Sequence, residues 1–129
     1  MVYRALAEAT VFGSRAIIDH FVAQGVAVER IVATGGIARK SPYVMQLLAD
    51  VLDRSVAVAD CDQTCALGGA IFGAVAAGFL PSVLAAMERM AARPGRTYTP
   101  RVELVPHYAS LYRRYLDLGR ALGGGTGSC

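Results

Sequence analysis

Tryptophan is absent from this 129-residue chain, and aromatic residues make up only 8% of it. The core must therefore be built mainly from Ala, Val, Leu and Ile side chains. Charged residues are also scarce, at 18%, against 54% hydrophobic residues. This balance argues against intrinsic disorder, because disordered chains combine low hydrophobicity with high charge. The length supplies material for one domain of ordinary size.

Lysine is nearly absent, since Lys40 is the only one, and arginine supplies almost all of the net charge of +3. The arginines are spread along the chain and alternate with acids, as where Glu29 precedes Arg30 and Glu88 precedes Arg89. A nucleic-acid-binding domain would instead concentrate its basic residues on one patch. We therefore expect a solvated surface and no nucleic-acid partner.

The chain has only three cysteines, and the spacing of Cys61 and Cys65 matches neither a redox C-x-x-C motif nor a zinc half-site. His20 and His107 stand alone, so no set of metal ligands is apparent. The N-terminus also lacks the order of a signal peptide. We therefore expect no metal site, reduced thiols and a cytoplasmic protein.

No charged residue occurs from Cys65 to Met87, a stretch long enough to cross a bilayer. However, Gly78 and Pro81 interrupt it, and its first half is rich in Ala and Gly rather than Leu, Ile and Phe. These interruptions predict two separate helices and no membrane span.

Hydrophobic periodicity predicts an α/β fold built on a βαβ unit with several packed helices. A strand, a glycine turn, a helix and a second strand should form a parallel pair with a right-handed crossover. Residues 1–122 form the predicted domain, and 123–129 a flexible glycine-rich tail. The predicted elements are a helix from Val2 to about Gln24, strands at 30–34 and 55–59, helices at about 42–52, 64–77, 81–92 and 108–122, and an extended loop at 93–106.

Small residues recur along one face of the predicted helix at 64–77. Small side chains allow another backbone to approach closely. We expect this face to pack on the sheet or on a neighbouring helix. Its members are Ala66, Gly69, Ala70, Gly73 and Ala77.

The candidate site is the turn that follows the first predicted strand, where Gly35-Gly36 precedes Lys40 and a helix start at Ser41-Pro42. Glycines remove Cβ atoms, so the backbone can lie against a flat or phosphorylated ligand. Ligands of open α/β sheets bind at the carboxyl ends of strands. The turn has neither G-x-G-x-x-G nor a Walker lysine pattern, and two adjacent glycines after a strand more often form only a tight turn without a ligand.

Three linked motifs resemble the FGGY family of carbohydrate kinases. The stretch Thr34–Arg54, which begins Thr-Gly-Gly-Ile-Ala-Arg-Lys-Ser-Pro, resembles the adenosine motif of that family. Gln63–Gly78 is similar to the small-residue helix that follows it. The sequence His-Tyr-Ala-Ser-Leu-Tyr-Arg-Arg-Tyr-Leu, which starts at His107, looks like the closing helix of the ribulokinase branch. The resemblance extends from residue 2 to 122.

The resemblance implies part of an RNase H-like domain of the actin-like ATPases, in which two such domains close over ATP and sugar. It implies that Gly35 and Gly36 lie against the nucleoside of ATP. Lys40 or Ser41 would approach the adenine or the ribose, and the choice between them stays open. A kinase of this type transfers the ATP γ-phosphoryl group to a hydroxyl of a ketopentose.

The resemblance also implies which machinery lies elsewhere. The aspartate base, the phosphate-binding loops, the sugar contacts and the carboxylates that organise Mg²⁺ precede the matched part in the family. We therefore expect no catalytic residue and no metal ligand in this chain, and Asp60 and Asp62 are not assigned to Mg²⁺. We expect the chain by itself to be inactive.

Two alternatives remain. The chain could be a non-catalytic interaction module that keeps the actin-like fold and forms a homo-oligomer through exposed apolar surface. Chaperone and actin relatives also share the glycine pair. They lack the Lys-Ser-Pro-x-x-Met-Gln stretch and the tyrosine-rich closing helix.

Overall fold

The computed structural model describes residues 2–91 and 93–123. The described chain is a mixed α/β structure, as predicted. Gly123, the first residue of the predicted tail, is instead the last residue of a helix, and 124–129 lie outside the described residues. The elements are α1 (Val2–Ala23), β1 (Ile31–Ala33), α2 (Gly36–Lys40), α3 (Pro42–Leu52), β2 (Val56–Ala59), α4 (Thr64–Ala76), α5 (Val83–Met90), β3 (Pro94–Tyr98) and α6 (Val105–Gly123).

The chain divides into two compact units. Unit 1 takes its described residues from Met1–Ile31, Tyr43–Val56 and Tyr98–Cys129 and contains α1, α3 and α6. Unit 2 consists of Val32–Pro42 and Ala57–Thr97, and it contains α2, α4, α5 and most residues of the three strands.

The core of unit 1 is formed by buried side chains from its three helices. The ring centroids of Phe12 and Tyr112 lie 5.9 Å apart at a tilted angle, so α1 and α6 meet through aromatic contacts. Helical periodicity predicts Met45, Leu48, Val51 and Leu52 on the inner side of α3. Met45, Val51 and Leu52 are buried, and Leu48 is partly buried and packs against the core. The core members are Val11, Phe12, Leu47, Val51, Tyr108 and Tyr112.

Arg15 connects three parts of this core. Its Nη1 donates to the carbonyl oxygen of Val51 at 2.7 Å, and its guanidinium lies 4.5 Å from the centroid of the Tyr112 ring. The Tyr112 hydroxyl in turn donates to Oδ2 of Asp19 at 2.9 Å. Burial, together with this hydrogen bond, raises the pKa of Tyr112 to about 12, so the phenol stays protonated and remains a donor at neutral pH.

Asp50 on α3 is completely buried, and its carboxylate accepts hydrogen bonds on both oxygens. Oδ1 accepts from the backbone nitrogen of Arg101 at 2.8 Å and from Nε2 of Gln46 at 3.0 Å. Oδ2 accepts from Nε and Nη2 of Arg101 at 3.0 and 2.6 Å. Burial alone would raise the pKa of Asp50, but the hydrogen bonds from Arg101 and Gln46 outweigh it and lower the pKa. The segment that leads into α6 is thereby attached to α3.

The sheet has the strand order β1-β2-β3, with β2 in the centre. The predicted pairing of the first two strands is confirmed, while their parallel direction stays a prediction. Val58 and Ala59 of β2 are buried, as expected for a central strand. In the same unit α4 contacts α5, and Ser82 caps α5 by accepting from the backbone nitrogen of Ala85 at 3.2 Å.

The prediction of one extended loop at 93–106 was wrong. Pro94 begins β3, a position where a missing N–H is tolerated, and the backbone nitrogen of Asp60 donates to the Arg93 carbonyl at 3.0 Å. Pro106 is the second residue of α6, where the N–H has no intrahelical partner in any case. Two of the three prolines in this segment, Pro94 and Pro106, therefore mark the beginnings of a strand and a helix.

The charge-free stretch divides into α4 and α5, as predicted, with Gly78 between them at φ 76°. No helix in the described ranges combines the length and apolar character that a bilayer span requires. The predicted packing of the small-residue face was wrong, because the inner side of α4 is formed by the larger Leu67, Ile71 and Val75. The small residues Ala66, Gly69, Ala70, Gly73 and Ala77 are exposed.

Replacing Asp50 by Asn should lower the free energy of unfolding by about 2–3 kcal/mol at pH 7, because the charge-assisted hydrogen bonds are lost. Since the folded pKa of Asp50 is lowered, its contribution is fully present above about pH 4 and disappears as the pH falls further. Urea unfolding at pH 7 and pH 3 should show the difference between wild type and variant shrinking at pH 3. Asp117→Asn breaks an exposed pair with Arg120 and should change nothing measurable. A pH-independent difference would contradict the assignment.

Gly95 on β3 should not tolerate a side chain. A Cβ added there would lie 2.9 Å from the Val58 carbonyl oxygen and 3.5 Å from Asp60 Cβ. Gly95→Ala should therefore reduce the free energy of unfolding by about 1–3 kcal/mol. Gly119→Ala on α6 is the control, since no atom lies within 4 Å of its added Cβ, and it should be neutral or stabilising. Equal urea midpoints for the two variants would show that β3 does not approach β2 this closely.

Candidate functional site

The turn after β1 depends on a glycine for its conformation. Gly35 has φ 91° and ψ −179°, a region that is essentially restricted to glycine. Its carbonyl accepts the backbone N–H of Arg39 at 3.3 Å, which closes the first turn of α2. A side chain at position 35 would therefore strain the backbone whatever space surrounds it.

Gly36 follows without a left-handed conformation, so its backbone does not require glycine. A Cβ added at Gly35 or Gly36 would meet no atom within 4 Å, in contrast to Gly95. The fold leaves this stretch of backbone uncovered. A flat ligand could lie directly against it.

Lys40 is the last residue of α2 and is exposed, whereas Ser41 is partly buried and joins α2 to α3. The Ser41 nitrogen donates to the Ile37 carbonyl at 3.0 Å, and α3 begins at Pro42 as predicted. The sequence analysis missed α2, which separates the glycine pair from α3. Its only signal was the run Ile37-Ala-Arg-Lys40, in which Ala38 is buried.

Arg39 was also missed, and it forms two ion pairs beside the glycine turn. Its Nη1 lies 3.3 Å from Oδ1 of Asp60, and its Nε lies 3.0 Å from Oδ1 of Asp62. Both carboxylates directly follow β2, the neighbour of β1 in the sheet. Their separation of 21 or more residues from Arg39 left no local pattern to detect.

No group of three or more His, Cys, Asp or Glu residues within 2–91 and 93–123 could hold a metal ion. Asp60 and Asp62 are engaged by Arg39, and Cys61 and Cys65 are free thiols. The arrangement can therefore bind a ligand through uncovered backbone, an ammonium group and a hydroxyl.

The comparisons with known proteins all lead to one family of sugar kinases. Residues 1–77 match the model of the FGGY family of carbohydrate kinases, C-terminal domain. A ribulokinase from Vibrio parahaemolyticus is 48% identical over 119 residues, which are 92% of this chain and 21% of that protein. A ribulokinase from Bacillus licheniformis is 43% identical over 91% of this chain and 22% of its own length. The chain thus spans about a fifth of the length of the ribulokinases it matches.

The solved structure of a xylulose kinase from Rhodospirillum rubrum is similar over 95% of this chain and 25% of its own, with a TM-score of 0.78 and 28% identity. This similarity confirms the predicted fold class, part of an actin-like ATPase domain. From the motif of Thr34–Arg54, the uncovered glycine pair and these similarities, it follows that the chain belongs to the FGGY family of carbohydrate kinases, with the sequence of its C-terminal domain.

Proposed function

We propose that this chain forms the adenosine-facing part of the ATP site of a ribulokinase-like sugar kinase. The observation that carries the proposal is the uncovered backbone of Gly35 and Gly36 directly after β1, in a chain of this family. A planar base can approach a backbone without Cβ atoms to van der Waals distance. The carboxyl end of a strand in an α/β sheet is also the usual place for such a ligand.

Each of the four site residues has a role in this proposal. Gly35 holds the turn in its left-handed conformation, and Gly36 leaves space for the nucleoside. The exposed ammonium of Lys40 supplies three hydrogen-bond donors for the adenine or the ribose. Ser41 supplies a hydroxyl that can donate and accept, and it is the alternative to Lys40 for this contact.

The whole protein, in this proposal, transfers the γ-phosphoryl group of ATP to a hydroxyl of a ketopentose in the cytoplasm. Bound Mg²⁺ would neutralise charge on the phosphates during such a transfer. We propose that its ligands, the aspartate base and the sugar contacts belong to the other four-fifths of a ribulokinase-length protein. The non-catalytic interaction module is not favoured, because the match to ribulokinases is continuous over 92% of the chain.

The purified chain should not phosphorylate ribulose, because in this proposal the aspartate base and the Mg²⁺ ligands belong to the part of a ribulokinase-length protein that this chain does not include. The measurement is a coupled assay of ADP release with ribulose and MgATP. Addition of a ribulokinase serves as the positive control for the assay. Ribulose phosphorylation faster than in the absence of protein would contradict the proposal that the catalytic groups lie outside this chain.

ADP should bind weakly to the chain and shift the backbone amide NMR signals of Gly35, Gly36 and Lys40. Gly36→Ala should weaken ADP binding at least about fivefold, because a methyl group would then occupy the space of the nucleoside. The measurement is an ADP titration of isotope-labelled protein. The control is Gly69→Ala, which also adds a Cβ in open space but lies on α4.

The folded state should be preserved in both variants, since neither added Cβ meets an atom within 4 Å. A well-dispersed wild-type spectrum that does not respond to ADP would contradict the proposed nucleotide site in this chain. Equal ADP affinity for Gly36→Ala and wild type would remove Gly36 from the site.

A further inference from the structure

We infer that Arg39 is a positioning residue that holds the glycine turn in place by attaching α2 to the end of β2. The inference rests on the proposed function, since the turn matters for activity only if it faces the nucleotide. Arg39 lies four residues after Gly35, and its guanidinium reaches Asp60 and Asp62 at 3.3 and 3.0 Å.

The geometry of the contact suits arginine specifically. Nη1 and Nε of one planar guanidinium point to two different carboxylates, so a single side chain links α2 to both ends of a three-residue segment. The ammonium of lysine is a point charge that cannot present two donors in a fixed fork. The Arg39 side chain is 34% exposed, whereas the side chains of Asp60 and Asp62 are 67% and 76% exposed. Solvent therefore screens both pairs, and we expect a small effect from each.

The other end of the link is fixed to the sheet. The backbone nitrogen of Asp60 donates to the Arg93 carbonyl at 3.0 Å, immediately before β3. Gly95 of β3 leaves no space for a Cβ beside Val58 and Asp60. Asp60 is therefore held by backbone contacts on one side and by Arg39 on the other. These contacts fix the position of α2 relative to the sheet.

α2 needs such a link because it is only five residues long. A single helical turn is unstable by itself, since nucleation fixes several residues for few hydrogen bonds. The turn also fixes the backbone of Gly35, and glycine loses more conformational freedom on folding than any other residue type. The burial of Ala38 and the two ion pairs of Arg39 oppose this loss.

A direct contact of Arg39 with the nucleotide would be a different explanation for weaker ADP binding by Arg39 variants. A substitution of Asp62 distinguishes the two explanations. Asp62 is negatively charged and should repel the phosphates of ADP. If Asp62 had no positioning role, Asp62→Asn would leave ADP affinity unchanged or increase it. If Asp62 positions the turn through Arg39, the same substitution must weaken ADP binding.

The test is ADP affinity, measured by NMR titration, for wild type, four variants of Arg39 and Asp62, and one control variant. Arg39→Gln and Asp62→Asn should each weaken binding about threefold, as expected for the loss of a partly exposed ion pair. Arg39→Lys should fall between wild type and Arg39→Gln. The double variant Arg39→Gln/Asp62→Asn should bind no more weakly than Arg39→Gln alone. The matched control is Arg4→Gln, which removes a comparable ion pair with Glu8 on α1 and should change nothing.

Unchanged or tighter ADP binding by Asp62→Asn, or additive effects in the double variant, would overturn the inference. A second readout needs no nucleotide. The Ser41 amide, which donates to Ile37 within α2, should exchange with deuterium about threefold faster in Arg39→Gln and in Asp62→Asn. If wild type does not bind ADP, the proposed function fails, and this exchange rate still decides the role of Arg39. Wild-type exchange in both variants would overturn that role.

Discussion

A carboxylate with no exposure to water needs a full set of hydrogen-bond donors, and Asp50 meets this condition through Arg101 and Gln46. The donors lie on both sides of a long stretch of chain, so the charge can be buried only when α3 and the segment before α6 are correctly placed. Gln46 reinforces this placement, since its Nε2 also donates to the Thr99 carbonyl at 2.8 Å. The aromatic core between α1 and α6 then forms against a fixed α3. An apolar pair at this position would tolerate small shifts that a buried charge does not.

The two units depend on different forces. Unit 1 combines an aromatic core with the buried Asp50 carboxylate and with the partly buried cluster of Arg15, Tyr112 and Asp19. Unit 2 has short strands, small side chains and few fully buried residues. Its strands and α2 are held by the close approach of the β3 backbone to β2 at Gly95 and by the ion pairs of Arg39. The candidate site lies entirely in unit 2.

Local sequence predicted much of this structure, because helix periodicity and the glycine turn are local signals. The helices α1, α3, α4, α5 and α6, both strands of the βαβ unit and the start of α3 at Pro42 were all found. β3 was missed because its proline suggested a loop, and only the pairing partner shows that this proline begins a strand. The exposed face of α4 could not be predicted, because small residues are compatible with close packing but do not require it. The pairing of Arg39 with Asp60 and Asp62 depends on the sheet order, which no local pattern contains.

The position of Lys40 has a practical consequence. As the one lysine of the sequence, exposed at the end of α2, it is the one side-chain amine that an acylating reagent can modify. At a helical rise of about 1.5 Å per residue, the backbone of Lys40 lies about 6 Å along α2 from that of Gly36, and a dye would be attached at the end of the Lys40 side chain. The chain thus carries a natural attachment point for a fluorescent reporter beside its glycine turn, without any engineered cysteine.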